Sequence, residues 1–243
     1  MNIKILSDIH TDYDNDIGIS FIKSIPNENI DLLILAGDIT TGGHLEKYED
    51  LIKCISERFK ETIIVLGNHD AYKKTIKQSH EVMDNIVSKL PNVYHLNNSI
   101  KEINGQRFLG STLWFPEKPK MPGLSSWVDV RHIKNAIPDI YNENKKAIKF
   151  FENNLQQNDI VITHHVPSDF CVHPQYKGDD YNCYFVGDAT HLIFHHKPKF
   201  WFYGHTHLAY DCIVEETRCI VNPRSYPQER SYCGFNPDLL IEV

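Results

Sequence analysis

The chain has no Cys-x-x-Cys pair, no apolar run near the length of a membrane span, no excess of positive charge, and no repeat or low-complexity tract. Each absence excludes something. The six cysteines (Cys54, Cys171, Cys183, Cys212, Cys219 and Cys233) are too dispersed for a short metal motif. A chain of 243 residues, 41% hydrophobic, can bury a core without a disulfide framework, so they read as reduced thiols. A bilayer span needs roughly 20 apolar residues, so a soluble protein with no membrane partner is expected. Met1 to Leu6 run straight into a strand-like pattern, with no charged region, apolar stretch or cleavage site before it. Secretion is therefore not expected, and the reading is a cytoplasmic protein. A formal charge of −7 argues against a broad basic surface, so nucleic acid is not an expected partner, although a local cation cluster could still attract phosphate.

What the chain has in excess is histidine, fourteen residues, several of them beside Asp, Asn or Gly at the ends of apolar runs. Continuous apolar runs at Ile3 to Leu6, Asp31 to Ala36, Thr62 to Leu66, Ile160 to Thr163 and Phe200 to Tyr203 read as strands covered on both faces. Helix-period stretches lie between them, roughly Leu45 to Phe59, Thr75 to Leu90, Ile140 to Leu155 and Asp188 to His196. A second group of strands (Val93 to Leu96, Ile100 to Ile103, Arg107 to Trp114, Ala209 to Val214, Arg218 to Val221 and Leu239 to Val243) is joined by tight turns such as Asn104-Gly105 and is expected to form hairpins. The two groups with flanking helices predict an α/β fold: a four-layer α/β/β/α sandwich of two mixed sheets, one domain over residues 1–243. Two long loops, Phe115 to Asp129 and His165 to Gly187, have the length of binding loops or lids.

Five predicted strands end in metal-ligand residue types: Asp8 and His10, Asp38, Asn68-His69-Asp70, His164-His165, and His205 and His207. Taken singly, each is more often a turn aspartate or a satisfied histidine. Together they suggest one site, because the carboxyl ends of strands in an α/β sheet line one edge. Gly37, Gly67 and Gly204 each precede a candidate ligand, where close backbone approach would leave no room for a Cβ.

In order and spacing these blocks, D-x-H, G-D, G-N-H-D, H and G-H-x-H, resemble the signature of the calcineurin-like metallophosphoesterases. That resemblance implies a phosphoesterase with two divalent cations, Mn²⁺ first, with Fe, Zn²⁺, Ni²⁺ or Mg²⁺ as alternatives. It implies that Asp8, His10 and His207 hold one cation, Asn68, His164 and His205 the other, and that Asp38 bridges both. A bridging hydroxide would be the nucleophile, and His69 would protonate the leaving oxygen. Asp70 is expected to orient His69 or a ligand, or to cap a helix. Thr206 and His165 are expected at the ligand or substrate edge, and Arg224, after a strand whose turn lies near the site in this family, is expected to touch a substrate phosphate or carboxylate. His44, His80, His95, His132 and the His195-His196 pair read as surface or satisfied positions.

Within the family, the protein phosphatase branch carries an arginine that has no counterpart in Gly37-Asp38-Ile39-Thr40-Thr41-Gly42-Gly43. The lipid-precursor pyrophosphatases usually carry Arg at the place of His69. What remains resembles the short, single-domain bacterial or phage phosphodiesterases, cyclic-nucleotide phosphodiesterases included, which implies hydrolysis of phosphate esters, phosphodiesters first, with a small-molecule phosphate ester or nucleotide as the substrate. A phosphomonoesterase is the alternative, followed by a nuclease or a non-catalytic scaffold.

Overall fold

The computed structural model describes residues 1–243, the side chain of Glu46 excepted. Its first sheet runs β11 (Ile241–Glu242), β1 (Asn2–Leu6), β2 (Leu32–Ala36), β3 (Thr62–Val65), β4 (Val93–His95), parallel except for β11. Its second runs β5 (Ser99–Ile103), β6 (Gln106–Ser111), β7 (Ile160–Thr163), β8 (Phe200–Tyr203), β10 (Thr217–Val221), β9 (Tyr210–Val214). There the outer pairs are antiparallel and the inner pairs parallel.

The partition of strands differs from the sequence expectation. β7 and β8 join the hairpin sheet, while β4 and β11 belong to the first sheet and form no hairpin. The reason lies in the connections. β4 follows β3 through helix α3 (Ile76–Val87), and a helical crossover returns a strand parallel to its neighbour. Only β5–β6, across Asn104-Gly105 at φ 52° and 80°, and β9–β10 close through two-residue turns.

The alternation of side chains explains why these strands read as unbroken apolar runs. Ile3, Ile5, Leu32, Ile34, Ile63 and Val65 meet Phe108, Ile160, Ile162, Phe202 and Ile220 between the sheets. Leu33, Leu35 and Ile64 face outward onto helices α1 (Ile19–Ser24), α2 (Glu49–Arg58) and α3. On the far side Leu109, Val161, Trp201 and Cys219 pack on α5 (Ala136–Asn154) and α6 (Thr190–His196). Both faces of each sheet are thus covered, giving four layers. Thr75 and Gln78 fix the start of α3 through a reciprocal capping box. Among the described residues no helix is long and apolar enough to cross a membrane. The loop 115–129 leads into the short helix α4 (Val128–His132), and its aromatic residues pack with those of the loop 165–187 beside the strand ends.

Candidate metal centre and substrate cavity

The carboxyl ends of β1, β2, β3, β7 and β8 meet at one edge of the sandwich, so residues from both sheets converge. The main chain laces them together. Asp8 N–H donates to Gly37 O at 3.0 Å, His10 N–H to Asp38 O at 3.1 Å, Ser225 N–H to Asp8 O at 2.9 Å and Gly204 N–H to His164 O at 2.9 Å. Asp8, His10, Asp38, His205 and His207 all adopt left-handed backbone, with φ of 48°, 41°, 53°, 73° and 53°. That conformation costs a non-glycine residue about 1–3 kcal/mol, and such strain gathers at functional sites. Glycine is required where the turns cross: a Cβ on Gly37 would sit 2.2 Å from the His164 ring, and one on Gly67 would sit 2.1 Å from Asp38 Oδ1.

Two groups of side chains could hold a metal ion, Asp8, His10, Asp38 and His207 on one side, and Asp38, His164 and His205 on the other. Within each group the ligand atoms lie within 4.8 Å of one another, and Asp38 belongs to both. Asn68 Oδ1 stands 2.9 Å from His164 Nε2, next to the second group. Nε2 of His10 and His207 face each other at 3.1 Å, and His164 Nε2 is 3.4 Å from Asp38 Oδ1. Asp8 Oδ2, Asp38 Oδ2 and His205 Nε2 are buried with no hydrogen-bond partner. Buried polar atoms are normally paired. Oxygens and ring lone pairs converging without donors fit a cation, and this set of imidazole, carboxylate and amide oxygen suits a divalent transition metal.

The electrostatics agree with that fit. Burial, then the neighbouring imidazoles, holds His10 and His205 well below the usual histidine range, and burial also lowers His164. Neutral imidazole is the form that ligates. Burial together with Asp8 and Asp70 pushes the Asp38 carboxyl well up, an imbalance that positive charge would relieve. His207 is held up despite its burial, because Glu229 bonds its Nδ1 at 2.7 Å.

Several supports escape a reading of the sequence. Glu229 engages Nδ1 of His207 and leaves Nε2 facing the site, and the carbonyl of Ala36 does the same for His164 at 3.0 Å. Asp129 accepts from Asn68 Nδ2 at 2.8 Å, Tyr72 OH at 2.7 Å and Trp127 Nε1 at 3.1 Å. This fixes the Asn68 amide with its oxygen toward His164. Tyr226 OH lies 2.9 Å from His69 Nε2. Asp129 closes a loop marked out by its length, but no local spacing marks it, Tyr226 or Glu229.

The centre opens into a cavity of about 400 Å³. Asp38, Asn68, His69, His205 and His207 lie on its metal side, and Trp127, Val128, Val166, Val172, Tyr181 and Phe185 come from the two long loops. Among the described residues no Lys or Arg lines it. His69 faces this space, its N–H donating to Asp38 Oδ1 at 2.9 Å and its ring against Tyr72 and His10. Burial, then His207 and His164, lowers its imidazole to about 3.

The other candidates lie further back. The Asp70 carboxylate is fully buried and accepts from Gly67 N at 2.8 Å, Thr40 N at 3.0 Å and Ile39 N at 3.4 Å, making no bond to the His69 ring. His165 is buried behind His205, against Trp114 and Phe115, with Nδ1 on Thr112 O. Arg224 forms a forked ion pair with Asp14, bonds Ile9 O and covers the ring of Phe21. Its guanidinium is occupied within the protein and does not line the cavity. Thr206 does line it.

Comparison with known proteins agrees with this geometry. The family profile described as calcineurin-like phosphoesterase matches residues 1–209. The chain is 27% identical over 276 aligned positions to uncharacterized protein L509 of Acanthamoeba polyphaga mimivirus, covering 99% of this chain and 96% of that one. It is similar in fold to the crystal structure of phosphopantetheinyl hydrolase (PptH) from Mycobacterium tuberculosis, with a TM-score of 0.74 at 14% identity, covering 94% of this chain and 90% of that one.

Proposed function

The chain belongs to the calcineurin-like phosphoesterase family and is a metal-dependent phosphoester hydrolase, and from that premise we propose that it cleaves small phosphodiesters at a two-cation centre. Asp8, His10, Asp38 and His207 would hold one cation, and Asp38, Asn68, His164 and His205 the other, with Mn²⁺ the ion proposed. Such cations, when bound, acidify water and neutralise charge on phosphoryl oxygens. One observation supports the diester best: beside the two groups the cavity is lined by His69, by aromatic and apolar side chains and by the acidic Asp129, Asp179 and Glu229, with no Lys or Arg among the described residues. A monoester dianion brings a second negative charge that a forked arginine commonly meets. A diester brings one charge and a second organic arm, which suits a roomy, cation-free wall. Arg224, paired with Asp14, leaves that balance unchanged.

His69 is the proposed general acid. In the free site burial keeps its ring neutral, and an anionic phosphate beside it would favour the imidazolium. The Tyr226 hydroxyl, 2.9 Å from Nε2, would aim that nitrogen and relay its proton. Asp70 is proposed as a positioning residue: by gathering the N–H groups of Ile39, Thr40 and Gly67 it joins the turns that carry Asp38 and Asn68.

The test varies the leaving group. p-Nitrophenolate departs without a proton, whereas an alkoxide needs one, a contribution of about 10²–10⁴-fold. His69→Ala is expected to lose far more activity on dialkyl or nucleoside diesters than on bis(p-nitrophenyl) phosphate, with metal content unchanged. Equal losses on both classes would remove the general-acid role. A kcat/KM on p-nitrophenyl phosphate above that on methyl p-nitrophenyl phosphate would overturn the diester reading.

A further inference from the structure

We infer that the loop-derived wall of the cavity is a subsite for one organic arm of the substrate, and that this arm is uncharged and presents a planar ring. The inference rests on the phosphodiester reading, because only a diester keeps an arm beyond the one that leaves. A cavity of about 400 Å³ exceeds the needs of a phosphate at the metal side, and the surplus space has its own chemistry.

The wall is rigid. Trp127 Nε1 donates to the buried carboxylate of Asp129 at 3.1 Å, and Tyr184 stacks on the indole at 4.0 Å between ring centres and 9° between planes. Phe185 meets the same indole edge-on, at 80°. The other side of Phe185's environment is the metal centre itself, since its ring lies 4.6 Å from that of His205. Val166 and Val172 continue the apolar surface, and Tyr181, 49% exposed, stands at the mouth. A flat aromatic surface fixed before binding loses little entropy when a second ring stacks on it.

Charge narrows the class further. The lining has the carboxylates of Asp129, Asp179 and Glu229 and no Lys or Arg to balance them. Asp129 is spent on Asn68, Tyr72 and Trp127, and Glu229 on His207. Asp179 is exposed, with one oxygen accepting Tyr181 N–H at 2.8 Å. A second phosphate or a carboxylate on the arm would face these groups without a counter-charge, which selects against polyphosphates and nucleic-acid strands. A neutral aryl or nucleoside arm meets no such penalty.

Three Mn²⁺-supplemented assays compare methyl, benzyl and 3-carboxypropyl p-nitrophenyl phosphate, which share a leaving group and differ in the retained arm. The benzyl diester is expected to exceed the methyl diester in kcat/KM by about tenfold or more, the size of one ring's burial after ordering costs, and the carboxypropyl diester to fall below it. Trp127→Leu and, separately, Tyr181→Ala should pull the benzyl-to-methyl ratio toward one. The ratio cancels any general loss of activity that follows from loosening Asp129. Calorimetric binding of dibenzyl and dimethyl phosphate to the His69→Ala variant, in which turnover of dialkyl diesters is suppressed, reads the subsite apart from catalysis, with at least about tenfold tighter binding expected for the dibenzyl compound. Equal affinities, a benzyl-to-methyl ratio near one, or preference for the anionic arm would overturn the inference. Failure of the diester reading appears elsewhere, as faster cleavage of p-nitrophenyl phosphate.

Discussion

Replacing Asp70 by Asn removes a charge and one acceptor from the interior while leaving volume unchanged. The carboxylate collects three main-chain N–H groups, two on one oxygen (Gly67 and Ile39) and one on the other (Thr40). An asparagine can keep its oxygen toward Gly67 and Ile39, which turns its NH₂ onto the Thr40 N–H. One charge-assisted hydrogen bond is lost, about 1.5–3 kcal/mol, and a buried donor is stranded, about 1–3 kcal/mol. Against this, burial raises the Asp70 carboxyl to about 7 despite the N–H groups, so removing the charge returns part of the loss. The net cost is about 1–3 kcal/mol, or a melting temperature lower by about 3–9 °C for a chain of this size. The turns joined by Asp70 carry Asp38 and Asn68, so metal affinity should also fall, by about 10–100-fold, as it does when such outer contacts are removed. Melts of chelated and Mn²⁺-loaded protein read both effects: the variant should melt lower in each state and gain less from the metal. A variant that melts with the wild type, and gains as much from Mn²⁺, would refute the argument.

Asp38 belongs to both groups that could hold a metal ion, so Asp38→Asn should lower the metal content of both, whereas Asp8→Asn should lower mainly one. Elemental analysis finding two full equivalents in Asp38→Asn would take it out of the shared position. A third expectation concerns acid stability. Burial and then His95 push the His80 imidazole down to about 3, so the unfolded chain binds its proton first as pH falls below about 6.5, and stability drops between there and pH 3. Between pH 7 and pH 5 this should remove about 2 kcal/mol more from wild type than from His80→Gln in urea melts. Identical pH slopes would show that His80 is not the group responsible.

That the candidate ligands would gather at one edge could be read from the sequence because each follows a run whose residues are apolar on both faces, and such a run has one place to end, at the edge where β1, β2, β3, β7 and β8 finish. Its glycines could be read for a related reason: Gly37 and Gly67 sit where another side chain occupies the volume of a Cβ. Which sheet each strand joins could not be read. Pairing between β6 and β7, or β8 and β10, is set by register across long stretches of chain, and the apolar pattern is the same in either sheet. Arg224 shows the same limit at the level of one side chain. Its type suits a phosphate, but Asp14, Ile9 O and Phe21 claim it, and none of them is near it in sequence.

Asp129, Tyr226 and Glu229 lie on the other side of that limit. Each acts by holding a residue that the sequence does mark, namely Asn68, His69 and His207. A hydrogen bond between loops imposes no period on either segment, so such a partner leaves no trace beyond its residue type. The loop 115–129 was noticeable for its length, but what it contributes depends on the indole of Trp127 being pinned by Asp129 on its edge and Tyr184 on its face. Trp127 taken alone is as consistent with core as with a binding surface. The contact to Asp129 ties it to the site, because the carboxylate that fixes the indole also orients the Asn68 amide. The wall that would receive the substrate's arm and one side chain beside the second metal group are therefore held by a single buried group, and a change in either loop that displaces Asp129 should alter metal affinity and substrate preference together.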